Sequence, residues 1–147
     1  MPSRTSSRPT FAVDRAAVAV GAAVYTIVLT AAVAQALLGP AVLLAGVPVG
    51  IAVGILTPDD GEELNNALAA CGLGAIAVVV TSQAYGSYVS WQLGWGLDTV
   101  LAGQFTLHGV AVAFFAMPFH VLVAVPVAII VGSMHARIVQ RVISTER

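Results

Sequence analysis

Ionisable residues divide this chain into long apolar stretches. From Ala16 to Pro58 run 43 residues without Asp, Glu, Lys, Arg or His, and from Leu64 to Leu97 another 34. From Thr99 to Met134 only His108 and His120 can titrate. A helix crosses a hydrocarbon core of about 30 Å with about 20 apolar residues. Each stretch is long enough to span a bilayer. The first, about 64 Å as a single helix, is long enough to do so twice. Gly39-Pro40 divides it, because Pro lacks a backbone donor and Gly favours a helix end. The pattern predicts span 1 at 16–38 and span 2 at 41–56. Span 2 has only 16 residues, short enough to thin the bilayer locally or to form a re-entrant element.

Span 3 is expected at 66–86 and span 4 at 108–134, with Pro118 and Pro126 as kinks. Asp60, followed three residues on by Glu63, resembles a capping box that starts the third helix before the membrane. Segment 87–107 is mixed in polarity. Tyr88, Trp91 and Trp95 fall within about 60° of one another at about 100° per residue, and Tyr85 joins them loosely. Tyr and Trp favour the membrane–water interface. This segment is therefore expected as a short helix or loop on the membrane surface, the alternative being a partial span that begins near Leu97.

Composition agrees with the pattern. Apolar residues make up 59% of the chain and charged residues 9%, against about 45–50% (counting Gly) and about 25% in ordinary soluble domains. Mean hydropathy is +0.94. These values exclude a soluble enzyme domain, a disordered chain and a nucleic-acid-binding module, which needs a basic surface. The expected fold class is all-α, a polytopic membrane helix bundle with four transmembrane helices. Residues 1–15 read as a disordered tail, 16–134 as the membrane domain and 135–147 as a basic tail. A cleavable leader is the competing reading of the N-terminal span: Ala32-Val33-Ala34 and Ala34-Gln35-Ala36 match the small-x-small pattern, although the apolar stretch before them is longer than usual.

Charge placement sets an expected orientation. All six basic residues are Arg, three near the start (Arg4, Arg8, Arg15) and three near the end (Arg137, Arg141, Arg147). Cytoplasmic flanks are enriched in such residues, so both termini are expected inside. That requires an even number of crossings. The acidic turn Asp59-Asp60-Gly61-Glu62-Glu63 would lie inside and the aromatic segment outside. The turn lacks EF-hand spacing and reads as a solvated turn with a helix cap.

Gly46, Gly50 and Gly54 in span 2 form the most specific packing pattern. Residues four apart share a helix face, so the three glycines make a flat seam that a neighbouring helix can approach closely. Cys71 and Ala75, with Ala67, make a second seam on span 3; Ala70 and Gly74 lie in the row beside it. Span 1 offers Ala19 with Ala23 and Ala17 with Gly21. The expected use of the glycine seam is packing of span 2 against span 3 or span 1, with homo-oligomerisation as the alternative. Cys71 has no second cysteine to pair with and reads as a small core residue.

Polar residues inside apolar spans supply the candidate chemistry. His120 lies near the middle of span 4. Thr26 and Thr30 lie near the middle of span 1, with Tyr25 beside them, at a depth where they could partner it. The role is either an interhelical hydrogen bond worth about 1 kcal/mol or a proton or ligand site. Gln35, Gln83 and His108, with Thr81 and Ser82, lie at comparable depth, and Asp98 could approach from the aromatic segment. This outer cluster reads either as a polar cavity or as scattered polar residues near helix ends. His108 and His120 are about 18 Å apart along one helix and cannot share a metal or a haem within it. Arg137 and Arg141, with Ile138, Val142 and Ile143, would carry span 4 into the headgroup region. No nucleophile–base pair, phosphate loop, HExxH or GxSxG pattern occurs, so a non-enzymatic protein without cofactor or metal is expected.

The Arg-only basic set, the Ala/Val/Gly-rich body and the Gly46/Gly50/Gly54 seam resemble small four-span membrane proteins of unknown function from halophilic archaea. The stretch from Gly46 to Gly74 is the part most similar. The resemblance implies four helices and a cell-membrane location, and it supplies no active site; the long aromatic segment departs from it. The function expected is a structural, interaction or accessory-subunit role. Its partners would be the bilayer and either further copies, through the glycine seams, or another membrane protein, with no nucleic acid. The alternative is a small channel or transporter component for ions or protons. Transport predicts that His120 and Thr26 face a common wet interior. A structural role predicts a close, small-residue interface with His120 satisfied by a neighbour.

Overall fold

The computed structural model describes residues 13–34, 44–57, 61–96 and 99–145. Among them the chain is helical, without strands: α1 (Arg15–Ala34), α2 (Gly46–Leu56), α3 (Glu63–Gln92) and α4 (Thr99–Thr145). Three of these helices, α1, α3 and α4, are long and apolar enough to cross a membrane. The fourth, α2, has 11 residues. It rises about 16 Å, roughly half of a hydrocarbon core.

The aromatic segment is not a separate surface element. Residues 87–92 continue α3, and 99–107 belong to α4. Ser87 to Gln92 contain no Gly or Pro, so nothing interrupts the helix there; an interfacial composition changes the solvent, not the backbone. The helix stops where Gly94 and Gly96 take positive φ, +74° and +68°. Gly94 N–H donates to the Trp91 carbonyl at 3.0 Å and Trp95 N–H to that of Ser90 at 3.2 Å. This is the left-handed glycine termination that caps the last carbonyls of a helix. The Ser90 hydroxyl also donates to the Gly96 carbonyl. Beyond the turn, α4 runs 47 residues, about 70 Å, and continues through Pro118 and Pro126.

The start of α3 also differs from the expected capping box. The helix begins at Glu63, and its carboxylate accepts the Gly61 N–H at 2.8 Å. Gly61 has φ +96°, which turns its amide towards that carboxylate. Asp60 lies outside the described residues, as do Asp59, the Gly39-Pro40 break and residues 1–12; the basic tail from 135 continues α4 as far as Thr145.

The packing follows the small-residue rows. On α1 the buried positions Ala17, Gly21, Tyr25 and Leu29 recur every four residues. A Cβ on Gly21 would lie 2.8 Å from both Ala70 Cβ of α3 and Val53 Cγ2 of α2, so three helices meet at that glycine. The glycine seam of α2 faces α4, not α1 or α3. A Cβ on Gly46 would overlap the His120 carbonyl, and one on Gly50 or Gly54 would lie 2.5 Å from the carbonyl of Ala124 or Ala128. Both rows have a four-residue period, so one backbone lies against the other over two turns. Sequence spacing defines such a face but carries no information about which helix stands opposite.

The outward face is apolar. Ile27, Leu73, Ile76, Leu107, Phe114, Phe115 and Leu122 are all more than half exposed. An apolar surface of that extent does not persist in water. With three helices long enough to cross, it marks a membrane protein.

Candidate functional site at the centre of the bundle

Tyr25 and His120 meet inside the bundle, both fully buried. The Tyr25 hydroxyl and His120 Nδ1 share a hydrogen bond of 2.7 Å. The rings stand edge to face, centroids 5.2 Å apart and planes at 76°. With the phenol donating, the imidazole carries its proton on Nε2. Glycines make room for the pair. Gly74 of α3 lies against the phenol ring, where an added Cβ would be 2.7 Å from Tyr25 Cδ1. Gly46 of α2 lies against the backbone of His120. All four helices therefore contribute to the site.

The two threonines considered as partners of His120 bond elsewhere. Thr26 donates to the Ala22 carbonyl of its own helix at 2.8 Å. The Thr30 and Thr81 hydroxyls are 3.0 Å apart. Thr81 donates within α3, to Ala77 at 2.9 Å or Val78 at 3.1 Å, so the α1–α3 link is donated by Thr30. Tyr25 reaches His120 because it lies on the buried row of α1, whereas Thr26 is turned about 100° from it.

In the outer cluster, Gln35 and Asp98 lie outside the described residues, and so does the His108 side chain. Gln83 is exposed on α3, while its neighbour Ser82 is 2% exposed. The Ser82 hydroxyl has no hydrogen-bond partner among the described residues. It lies where Gly109 of α4 leaves space, and a Cβ on Gly109 would approach it to 2.6 Å. Among the described residues no three of His, Cys, Asp and Glu converge.

One polar cluster was not singled out by sequence. Asn66, fully buried, accepts the Asp14 N–H at 2.8 Å and donates to the Thr57 hydroxyl at 3.0 Å. Thr57 in turn donates to the Val53 carbonyl at 2.8 Å, and the Asp14 carboxylate caps α1 by accepting the Ala17 N–H at 2.8 Å. The start of α1, the end of α2 and the start of α3 are joined at one end of the bundle. Gly132 of α4 is at the same level, beside Glu63 and Gly54. An Asn at a predicted span boundary was the available signal. Its burial depends on three chain segments coming together. No family model, curated protein or solved structure matches the chain.

Proposed function

We propose that this chain is a small multi-pass protein of the cell membrane with a structural, interaction or accessory-subunit role. The carrying observation is the Tyr25–His120 pair, packed against glycines of the other two helices. A hydrogen-bonded, tightly enclosed imidazole serves helix association. Thr26, bonded to its own helix, does not face it.

Four crossings fit the ends of the helices. α1 rises about 30 Å from Asp14, yet Thr57 is back beside Asn66 and Asp14. These ends support a second crossing between Ala34 and Thr57, to which α2 would contribute about half. Gly132 at this same end supports both termini on one side, and the Arg residues favour the cytoplasm. The glycine seam is engaged by α4 within the chain. Further copies or a partner protein would therefore use the lipid-exposed faces of α3 and α4.

A proton or ion route is the second reading, favoured by a fully buried imidazole at mid-depth. Flux through proteoliposomes separates the two. A folded preparation without proton or ion flux supports the structural role. Flux that disappears in His120→Ala would replace it with the transport reading.

A further inference from the structure

A groove of about 480 Å³ opens between α3 and α4 at the end of the bundle where α1 begins. One wall carries Glu63 and Leu64 of α3 with Gly61 of the preceding turn, and the α4 wall carries Ile129, Ser133, Arg137 and Gln140. Glu63 is 7% exposed, and one of its oxygens accepts the Gly61 N–H. The other, Oε1, takes no hydrogen bond from the described residues. Arg137 lines the opposite wall, exposed and without an ion pair among the described residues. Two opposite charges thus border one groove without neutralising each other.

The groove is also graded from apolar to polar. Leu64 and Ile129, 47% and 48% exposed, lie on the side towards the apolar spans. Arg137 and Gln140 lie about 7 and 12 Å further along α4 than Gly132, on the outward side. A ligand suited to both gradients has a hydrocarbon tail for the inner rim and a zwitterionic head. Its anion would meet the α4 wall, and its cation would meet the carboxylate of the α3 wall.

We propose that this groove binds a phospholipid whose head group ends in a primary ammonium. The phosphate sits against Arg137, with Ser133 and Gln140 beside it. The ammonium crosses the groove and donates to Glu63 Oε1. A primary ammonium has three donors, whereas a trimethylated one has none. The carboxylate therefore discriminates between head groups of the same net charge.

Native mass spectrometry of the detergent-purified full chain tests this with phosphatidylethanolamine, phosphatidylcholine and phosphatidylglycerol of identical chains. The ethanolamine lipid should be retained about tenfold better than the choline lipid, as expected for one charge-assisted hydrogen bond. Glu63→Gln should abolish that preference. Arg137→Gln should weaken all three lipids together and leave the preference intact. Equal retention of the ethanolamine and choline lipids by the unaltered chain overturns the proposal, whether or not the Glu63 variant folds. A preference that survives in a folded Glu63→Gln chain overturns it too. Free phosphoethanolamine that displaces the lipid at equal concentration would overturn the membrane lipid as occupant.

Discussion

Tyr25 and His120 are 95 residues apart in the chain and share a 2.7 Å hydrogen bond at the centre of the bundle. The bond links α1 to α4, and α2 and α3 admit it by presenting glycine at the two places where a side chain would intrude. In lipid, helices gain little from apolar burial against one another, so close packing and interhelical hydrogen bonds decide which faces meet.

Tyr25→Phe keeps the ring and removes the hydroxyl. It should lower the stability of the protein in micelles by about 1 kcal/mol, the range of interhelical hydrogen bonds in membranes. Combined with His120→Ala in a double-mutant cycle, the coupling should be of similar size. Additive losses in thermal or denaturant unfolding would mean that the bond contributes nothing beyond packing.

Gly50→Ala and Gly72→Ala make the same chemical change with opposite expectations. At Gly50 the new methyl meets the Ala124 carbonyl and Val127, at 2.5 and 2.7 Å. The carbonyl is backbone and cannot move aside, so α2 must shift, at a cost of about 1–3 kcal/mol. At Gly72 nothing lies within 4 Å, and the helix interior gains up to about 1 kcal/mol from the better helix former. Unfolding midpoints should move in opposite directions; a common direction would contradict the assignment of the seam to α4.

Asn66→Ala should release three helix ends at once. The Asp14 amide loses its acceptor and the Thr57 hydroxyl loses the amide that donates to it, while keeping its own bond to Val53; the expected loss is about 1–3 kcal/mol. Amide exchange should accelerate first at the start of α1. Unchanged protection there would show that Asn66 does not tie the segment.

Topology can be read by labelling with a membrane-impermeant thiol reagent. Cys71 is fully buried and should be unreactive in the intact protein. Cysteines introduced at Ser3 and Ser144 in a Cys71→Ala background should label from the same side of a sealed vesicle. A cysteine at Trp95 should label from the other. Labelling of the two termini from opposite sides would overturn the proposal of four crossings.

The membrane character was legible in the sequence because bilayer thickness imposes a length on apolar runs, and charge-free stretches report it directly. The buried face of α2 was legible too, since the spacing of Gly46, Gly50 and Gly54 defines one face whatever it meets. Tyr25 was less legible: an amphipathic phenol beside two threonines gives no hint of which of the three turns inward. The end of α3 was not legible, because the aromatic residues at 88 and 91 favour the interface without interrupting a helix. The helix stops instead before Gly94 and Gly96, where positive φ is available.

The sequence by itself determined where the chain is apolar and which helix faces are smooth, because both follow from local spacing and side-chain size. The tertiary structure alone decided that α4 covers the glycine seam, that Tyr25 rather than Thr26 meets His120, and that Asn66 joins three helix ends. Those outcomes depend on which faces approach across long separations in sequence. Several small-residue faces of similar shape compete for the same neighbours, and only the whole set of contacts selects among them.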